Sequence, residues 1–141
     1  MPRLELYSVR DNRVSPKSGL NWCFANAHVK SEDAYIALTK QFLQNNPNLF
    51  PTPGSIINVR WDDGIAMYCS LEGTQTIGGI LYPKQISTYN NKSELGHYLR
   101  QRIGVSANHI ITLNDLNNYG RNFIDVTCIT QNRDYFFDFH I

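Results

Sequence analysis

Residues 4–9, LELYSV, alternate Leu, Leu and Ser against Glu, Tyr and Val, which predicts a first strand. Residues 34–38 form a short apolar run with Tyr and Ile, a second strand. Between them residues 11–35, DNRVSPKSGLNWCFANAHVKSEDAY, show no period. A hairpin loop usually needs only about two to five residues, and long loops without structure of their own are usually functional or disordered. Trp22, Phe24 and the scarcity of acids argue against disorder. The stretch therefore reads as an ordered recognition arm, with the rest of the chain as the scaffold that holds it.

Further along, residues 39–43 open a short helix, with Leu38, Phe42 and Leu43 on one face. Asn45-Asn46-Pro47-Asn48 ends it, because proline and the residue before it resist helix. Residues 55–61 (SIINVRW) and 65–71 (IAMYCSL) are two strands joined at Asp62-Asp63-Gly64, where Asp-Gly suits the positive φ of a primed hairpin turn. Residues 72–85, EGTQTIGGILYPKQ, carry three glycines and read as a second projecting hairpin or loop, returning through residues 84–88. Residues 90–103 are the clearest helix. Leu95, Tyr98, Leu99 and Ile103 recur at helical spacing, Asn or Ser caps the start, and Gly104 stops it. Residues 109–113 predict a strand, residues 114–120 a short helical turn, and residues 123–130 and 135–141 two closing strands. About seven short strands at this spacing suggest a sandwich or small barrel with helices plugging its ends, in a single domain over residues 1–141. The chain lacks the long βαβ alternation of a doubly wound sheet.

Composition alters this picture little. Aromatic residues reach 12%, mostly Tyr and Phe, which favours strands. Net charge is +1, without the basic excess of a non-specific nucleic-acid binder, but a sequence reader can manage with a local basic face. Basic residues are denser in the first arm and around Arg100 and Arg102. Cys23, Cys69 and Cys128 are odd in number and lack zinc spacing, so they read as reduced thiols, with Cys69 and Cys128 in the core. No apolar leader or run of roughly 20 apolar residues occurs, and the expectation is a cytoplasmic protein with no membrane partner.

The usual catalytic patterns fail in turn. His28, His97, His109 and His140 are never four residues apart, and no metal or other cofactor is expected. Asp62, Asp63 and Glu72 resemble the acids of a metal-dependent nuclease, but Thr74 stands where that pattern wants Lys. His28-Val29-Lys30 begins the phospholipase-D-type motif, which needs Asp five residues after the Lys; Tyr35 is there. No GxSxG, P-loop or GxGxxG string appears, and no catalytic residue is assigned.

The polar residues of the two projecting segments suit a different task. Arg and Lys match guanine edges, Asn and Gln match adenine, and hydroxyls hold phosphates. The first arm offers Asn12, Arg13, Lys17, Ser18, Asn21, Asn26, His28 and Lys30; the second offers Thr74, Gln75, Thr76, Tyr82 and Lys84. Trp22 is either a buttress or a stacking platform, with the buttress favoured. Arg100 and Arg102 either touch phosphates or pair with scaffold acids.

These residues also carry a resemblance. SGLNW at 18–22, DAYIAL at 33–38, DDG at 62–64, NNKSELGHYLRQRIG at 90–104, DLNNYGR at 115–121 and YFFDF at 135–139 follow in order. The chain resembles the DNA-recognition domain at the C-terminus of bacterial restriction endonucleases whose N-terminal half is a phospholipase-D-like nuclease. That domain is similar to the plant B3-type fold, and the resemblance implies a mainly β protein, a seven-stranded open pseudobarrel with short helices at its ends. It further implies an N-arm over residues 12–32 and a C-arm over residues 72–84 gripping the major groove of double-stranded DNA. The partner beyond DNA would be a nuclease domain or subunit. Where relatives often continue SGLNW with Gly-Gln-Arg, this chain has Cys23-Phe24-Ala25, and its second arm is somewhat longer. Substitution of Asn21 or Gln75 is expected to alter discrimination. Two other readings remain open: a small nuclease assembled from Asp62, Asp63, Glu72 and His109, and a protein-interaction module of a restriction or defence complex.

Overall fold

A computed structural model describes all residues, Met1–Ile141. Its frame is one seven-stranded sheet. In chain order the strands are β1 (Arg3–Glu5), β2 (Ile36–Ala37), β3 (Ile56–Trp61), β4 (Ala66–Glu72), β5 (Gln75–Ile77), β6 (Ile80–Tyr82), β7 (Gln85–Thr88), β8 (Phe123–Thr130) and β9 (Asp134–Asp138). The sheet runs β1-β8-β9-β3-β4-β7-β2, while β5 and β6 pair only with each other. β3 and β9 are parallel and every other pair is antiparallel. The sheet curls into a half-barrel, the expected B3-like pseudobarrel architecture. β1 and β2 are its unpaired edges, and a cleft of about 1000 Å³ lies between them, lined by residues such as Leu6, Val14, Ile36 and Phe42.

Strand alternation builds the core. Ile57, Val59 and Trp61 of β3 face Met67, Cys69 and Leu71 of β4, and Tyr135 and Phe137 of β9 continue the layer; all are buried. Trp61 lies 4.8 Å from the Tyr98 ring and 5.3 Å from Phe137, centroid to centroid. Burial pushes the Cys69 thiol up to about 12, with Glu94 adding to the effect, so this cysteine behaves as a small apolar core residue. Cys128 is half-buried against the same core, and all three thiols are free.

Three α-helices pack with the sheet, α1 (Lys40–Asn45), α2 (Lys92–Ile103) and α3 (Leu113–Tyr119), and a short 3-10 helix lies in the first arm. Asn91 caps α2 by accepting from the Ser93 amide, and Gly104 closes it in the left-handed conformation at φ +87°. Thr112 and Asp115 form a reciprocal capping box at α3. No helix is long and apolar enough to cross a membrane.

Three expectations need correction. The three-residue turn between β3 and β4, Asp62-Asp63-Gly64, is not a primed one. Trp61 N–H donates to Ile65 C=O at 2.8 Å, and only Gly64 takes a positive φ, +88°. The first strand stops at Glu5, because Ser8 and Arg13 pair with each other instead. Residues 109–113 form no strand; the backbone of Ile111 is held by a side chain from the first arm.

Candidate nucleic-acid interface

The N-arm is tied down at both ends and in the middle. Tyr35 N–H donates to Gly19 C=O at 3.1 Å and Cys23 N–H to Asp33 C=O at 2.9 Å, so the two limbs close on each other. A 3-10 helix, Gly19–Phe24, forms the inner limb. It is kinked at Asn21, whose backbone leaves the helical region at φ −106°, ψ 21°. The kink accompanies an inward side chain. Asn21 donates to Ser15 C=O and to Ile111 C=O, both at 2.8 Å, and its Oδ1 accepts from Ile111 N–H at 2.8 Å. The amide thus takes the place of a neighbouring strand for Ile111. Asn21 is fully buried and cannot meet DNA in this fold, which overturns its assignment as a base reader.

A second tie joins the arm to α2. A Cβ added at Gly96 would sit 1.7 Å from Glu32 C=O, so only glycine permits this close approach of helix and arm. Ala34 N–H donates to Lys92 C=O, and His97 Nδ1 lies 3.0 Å from Glu32 Oε2. Asp33, almost fully buried, accepts from Lys30 N–H at 2.8 Å and braces the loop behind it. Trp22 is half-buried, edge-on to Tyr35 at 5.7 Å, the geometry of a buttress. What remains outward on the N-arm is Asn12, Arg13, Lys17, Asn26, His28 and Lys30, all exposed, with Ser18 half-buried.

The C-arm is the separate β5–β6 ribbon. Its Gly78-Gly79 turn has φ of +57° and +79°, the signature of a type I′ hairpin. Gln75 donates from Nε2 to Leu38 C=O at 2.9 Å and to Pro83 C=O at 3.0 Å, fastening the ribbon's root to the end of β2. Bidentate adenine reading needs that same NH₂ group, so Gln75 also shifts from base reader to anchor. Tyr82 is half-buried against the core, whereas Thr74, Thr76 and Lys84 are exposed.

Charge is distributed unevenly between arms and scaffold. Arg102 pairs with Asp62 at 2.8 Å and also donates to Tyr98 and Tyr119. Arg121 pairs with Asp125 and Asp138. Arg100 is buried, its guanidinium turned to the carbonyls of Leu20 and His109 and to Cys23 Sγ. The open question over Arg100 and Arg102 is thereby answered in favour of the scaffold. By contrast Arg13, Lys17, Lys30 and Lys84 form no ion pair. Most arm acids turn inward: Glu32 to His97, Asp33 to the Lys30 amide, and Glu72 to Lys92 at 2.5 Å. The chain's net charge of +1 therefore conceals arms whose outward charge is mostly positive. Lys40, exposed and unpaired at the start of α1, adds a cation that the sequence did not flag because it lies outside both arms.

The alternative nuclease set does not assemble. Asp62 precedes β4 and Glu72 ends it, and the strand between spans roughly 20 Å at about 3.3 Å per residue. Burial raises the Asp62 carboxyl, but hydrogen bonds from Arg102 and the Phe139 amide outweigh this and hold it below the ordinary value. His109 is engaged by Asp115 at 2.7 Å. Ligand atoms of Asp62, Asp138 and His140 come within 4.8 Å of one another, but Asp62 is neutralised by Arg102 and Asp138 Oδ1 meets His140 Nδ1 at 2.6 Å.

Comparison with known proteins returns one family. The model described as NgoFVII C-terminal B3-like DNA-binding domain matches residues 4–130, which include both arms. No curated protein matches.

Proposed function

The chain belongs to the family of the NgoFVII C-terminal B3-like DNA-binding domain, and from that premise we propose that it reads sequence in double-stranded DNA with its two arms in the major groove. In this reading it is a single domain over residues 1–141, the target-recognition part of a restriction endonuclease or a stand-alone relative. A nuclease domain or subunit would supply any cleavage, because Asp62 and Glu72, the acids a nuclease site would use, are engaged by Arg102 and Lys92.

The observation that carries the proposal is that both arms present unpaired cations, Arg13, Lys17, Lys30 and Lys84, while the acids at their roots, Glu32 and Glu72, are paired; Arg3, Lys40 and Arg60 are the unpaired exposed cations outside the arms. Arg13, Lys17, Lys30 and Lys84 supply phosphate contacts, which give affinity and register but no sequence information. Discrimination falls to the exposed groups between them: Asn12, Asn26 and His28 on the N-arm, Thr74 and Thr76 on the C-arm. Ser18, Trp22 and Tyr82 shape the arms from their half-buried positions. Asn21 and Gln75 hold the arms rather than read bases.

Selection from randomised duplex DNA tests the proposal. An enriched motif supports it; binding without enrichment in any pool removes the sequence-reader claim. Absence of binding even at low salt would move the arms to a protein partner. Four phosphate contacts predict a fall of log K with log salt of about −3.6, from a slope near −0.9 per neutralised phosphate.

A further inference from the structure

We propose that the tip of the C-arm reads the C5-methyl group of a pyrimidine on the major-groove edge, through Leu81 and Ile80. The inference rests on the reading that this arm enters the major groove. Both residues are large, aliphatic and more than half exposed, at 53% and 58%. Nothing in the scaffold uses them. In the ribbon Ile77 pairs with Ile80 and Thr76 with Leu81. Alternation along a strand puts Gln75, Ile77, Ile80 and Tyr82 on one face, and three of these four are half-buried against the protein. Thr76 and Leu81 share the opposite, open face, and Ile80 stands beside the turn at the very end. A Cβ added at Gly78 or Gly79 would meet no atom within 4 Å, so the tip projects free.

The shape suits one site on DNA. A two-stranded ribbon fits the major groove, where base edges carry donors, acceptors and one apolar group, the pyrimidine C5-methyl. Leu81 and Ile80 offer no hydrogen bond, so the apolar group is the feature they can distinguish. Thr76, across from Leu81, adds a methyl and a hydroxyl to the Leu81 face, while Ile80 offers its apolar surface from the other face at the tip. Lys84 lies at the root of this ribbon, placed to hold the backbone while the tip inspects the bases. The methyl can belong to thymine or to 5-methylcytosine. Sequestering one methyl group changes affinity about four-fold.

Three randomised duplex pools separate the outcomes: one with thymine and cytosine, one with uracil replacing thymine, and one with 5-methylcytosine replacing cytosine. The wild-type chain is compared with the Leu81→Ala, Ile80→Ala double variant, whose truncated side chains are both exposed and leave the core intact. The expected result is a preference that follows the methyl. A selected thymine loses about four-fold when it becomes uracil, or a cytosine position gains as much on methylation, and the double variant loses that response while still binding DNA. Loss of response to uracil alone identifies thymine as the ligand; loss of response to methylated cytosine alone identifies 5-methylcytosine. A wild-type motif identical in all three pools overturns the inference, and so does a methyl preference that survives in the double variant. Absence of any motif from all three pools removes the underlying sequence-reader claim and the inference with it.

Discussion

Replacing Asn21 by alanine removes three hydrogen bonds in one step. Two of them serve the N–H and C=O of Ile111, a residue only 1% exposed, and the third serves the Ser15 carbonyl. The Ser15 group lies nearer the surface and can turn to water. The two Ile111 groups cannot do so without opening the loop before α3. An orphaned buried polar group costs about 1–3 kcal/mol, so the pair should cost about 4 kcal/mol at the middle of that range. For a domain of this size each kcal/mol moves the melting temperature by roughly 3–5 °C, so the expected fall is about 12–20 °C. That is a large part of a typical stability of about 5–15 kcal/mol, but it leaves a folded majority at 15 °C. Asn21→Asp keeps the acceptor, loses both donors and brings a charge against two carbonyls, so it should destabilise at least as much. Calorimetry gives the melting temperatures, and selection from randomised duplex DNA at 15 °C gives the motif. The reasoning requires a lowered melting temperature with an unchanged motif. A melting temperature within 2 °C of wild type, together with a changed motif, would refute it and return Asn21 to the DNA.

Three further expectations follow from the same geometry. Gly96→Ala improves helix propensity by about 1 kcal/mol, but its Cβ would lie 1.7 Å from Glu32 C=O; the clash should win, lowering the melting temperature and weakening DNA binding as the arm root moves, and a stabilised variant would contradict the close approach. Changing Lys30 and Lys84 together to Gln should reduce the magnitude of the salt slope of DNA binding by about 1.8, with no change in melting temperature beyond a degree or two; an unchanged slope would remove them from the phosphate contacts. Asp62 and Glu72 are raised by burial, but hydrogen bonds from Arg102 and Lys92 outweigh this, so both folded pKa values lie below their ordinary 3.8 and 4.5. Their contribution is complete above the unfolded values and is lost as pH falls through the folded ones, so these two pairs should begin to weaken the fold only below about pH 4.5. Asp62→Asn should flatten that acid limb of the melting curve, and an unaltered limb would show that the pair is not its source.

The alternating strands 55–61 and 65–71 were legible because both follow the pleat, with one face in the core. The helix over 90–103 was legible for the equivalent reason, since Leu95, Tyr98 and Leu99 share its buried face. The bounds of both arms could be read from the loss of period. Contacts between side chains and distant backbone leave no such trace. Asn21 looks like any polar loop residue, and only its 90-residue reach to Ile111 gives it a structural role. Residues 109–113 carry a strand-like apolar pair, Ile110-Ile111, but their partner is one amide rather than a strand. Arg100 sits on the buried face of α2, where its charge suggested the surface. Gly96 reads as a weak point in a helix until the carbonyl above it is placed.

The 90-residue separation of Asn21 from Ile111 also sets an order of events during synthesis. At about 5–20 residues per second, the ribosome adds Ile111 roughly 5–18 s after Asn21. Over that interval the arm has its basic side chains but lacks the contact that shapes it. Strand β1 waits longer still, because its partner Asp125 stands 122 positions after Arg3. The first part of the domain to be made is thus among the last to take form. A chain interrupted before Ile111 would contain every residue of both arms and yet have no built N-arm with which to hold DNA.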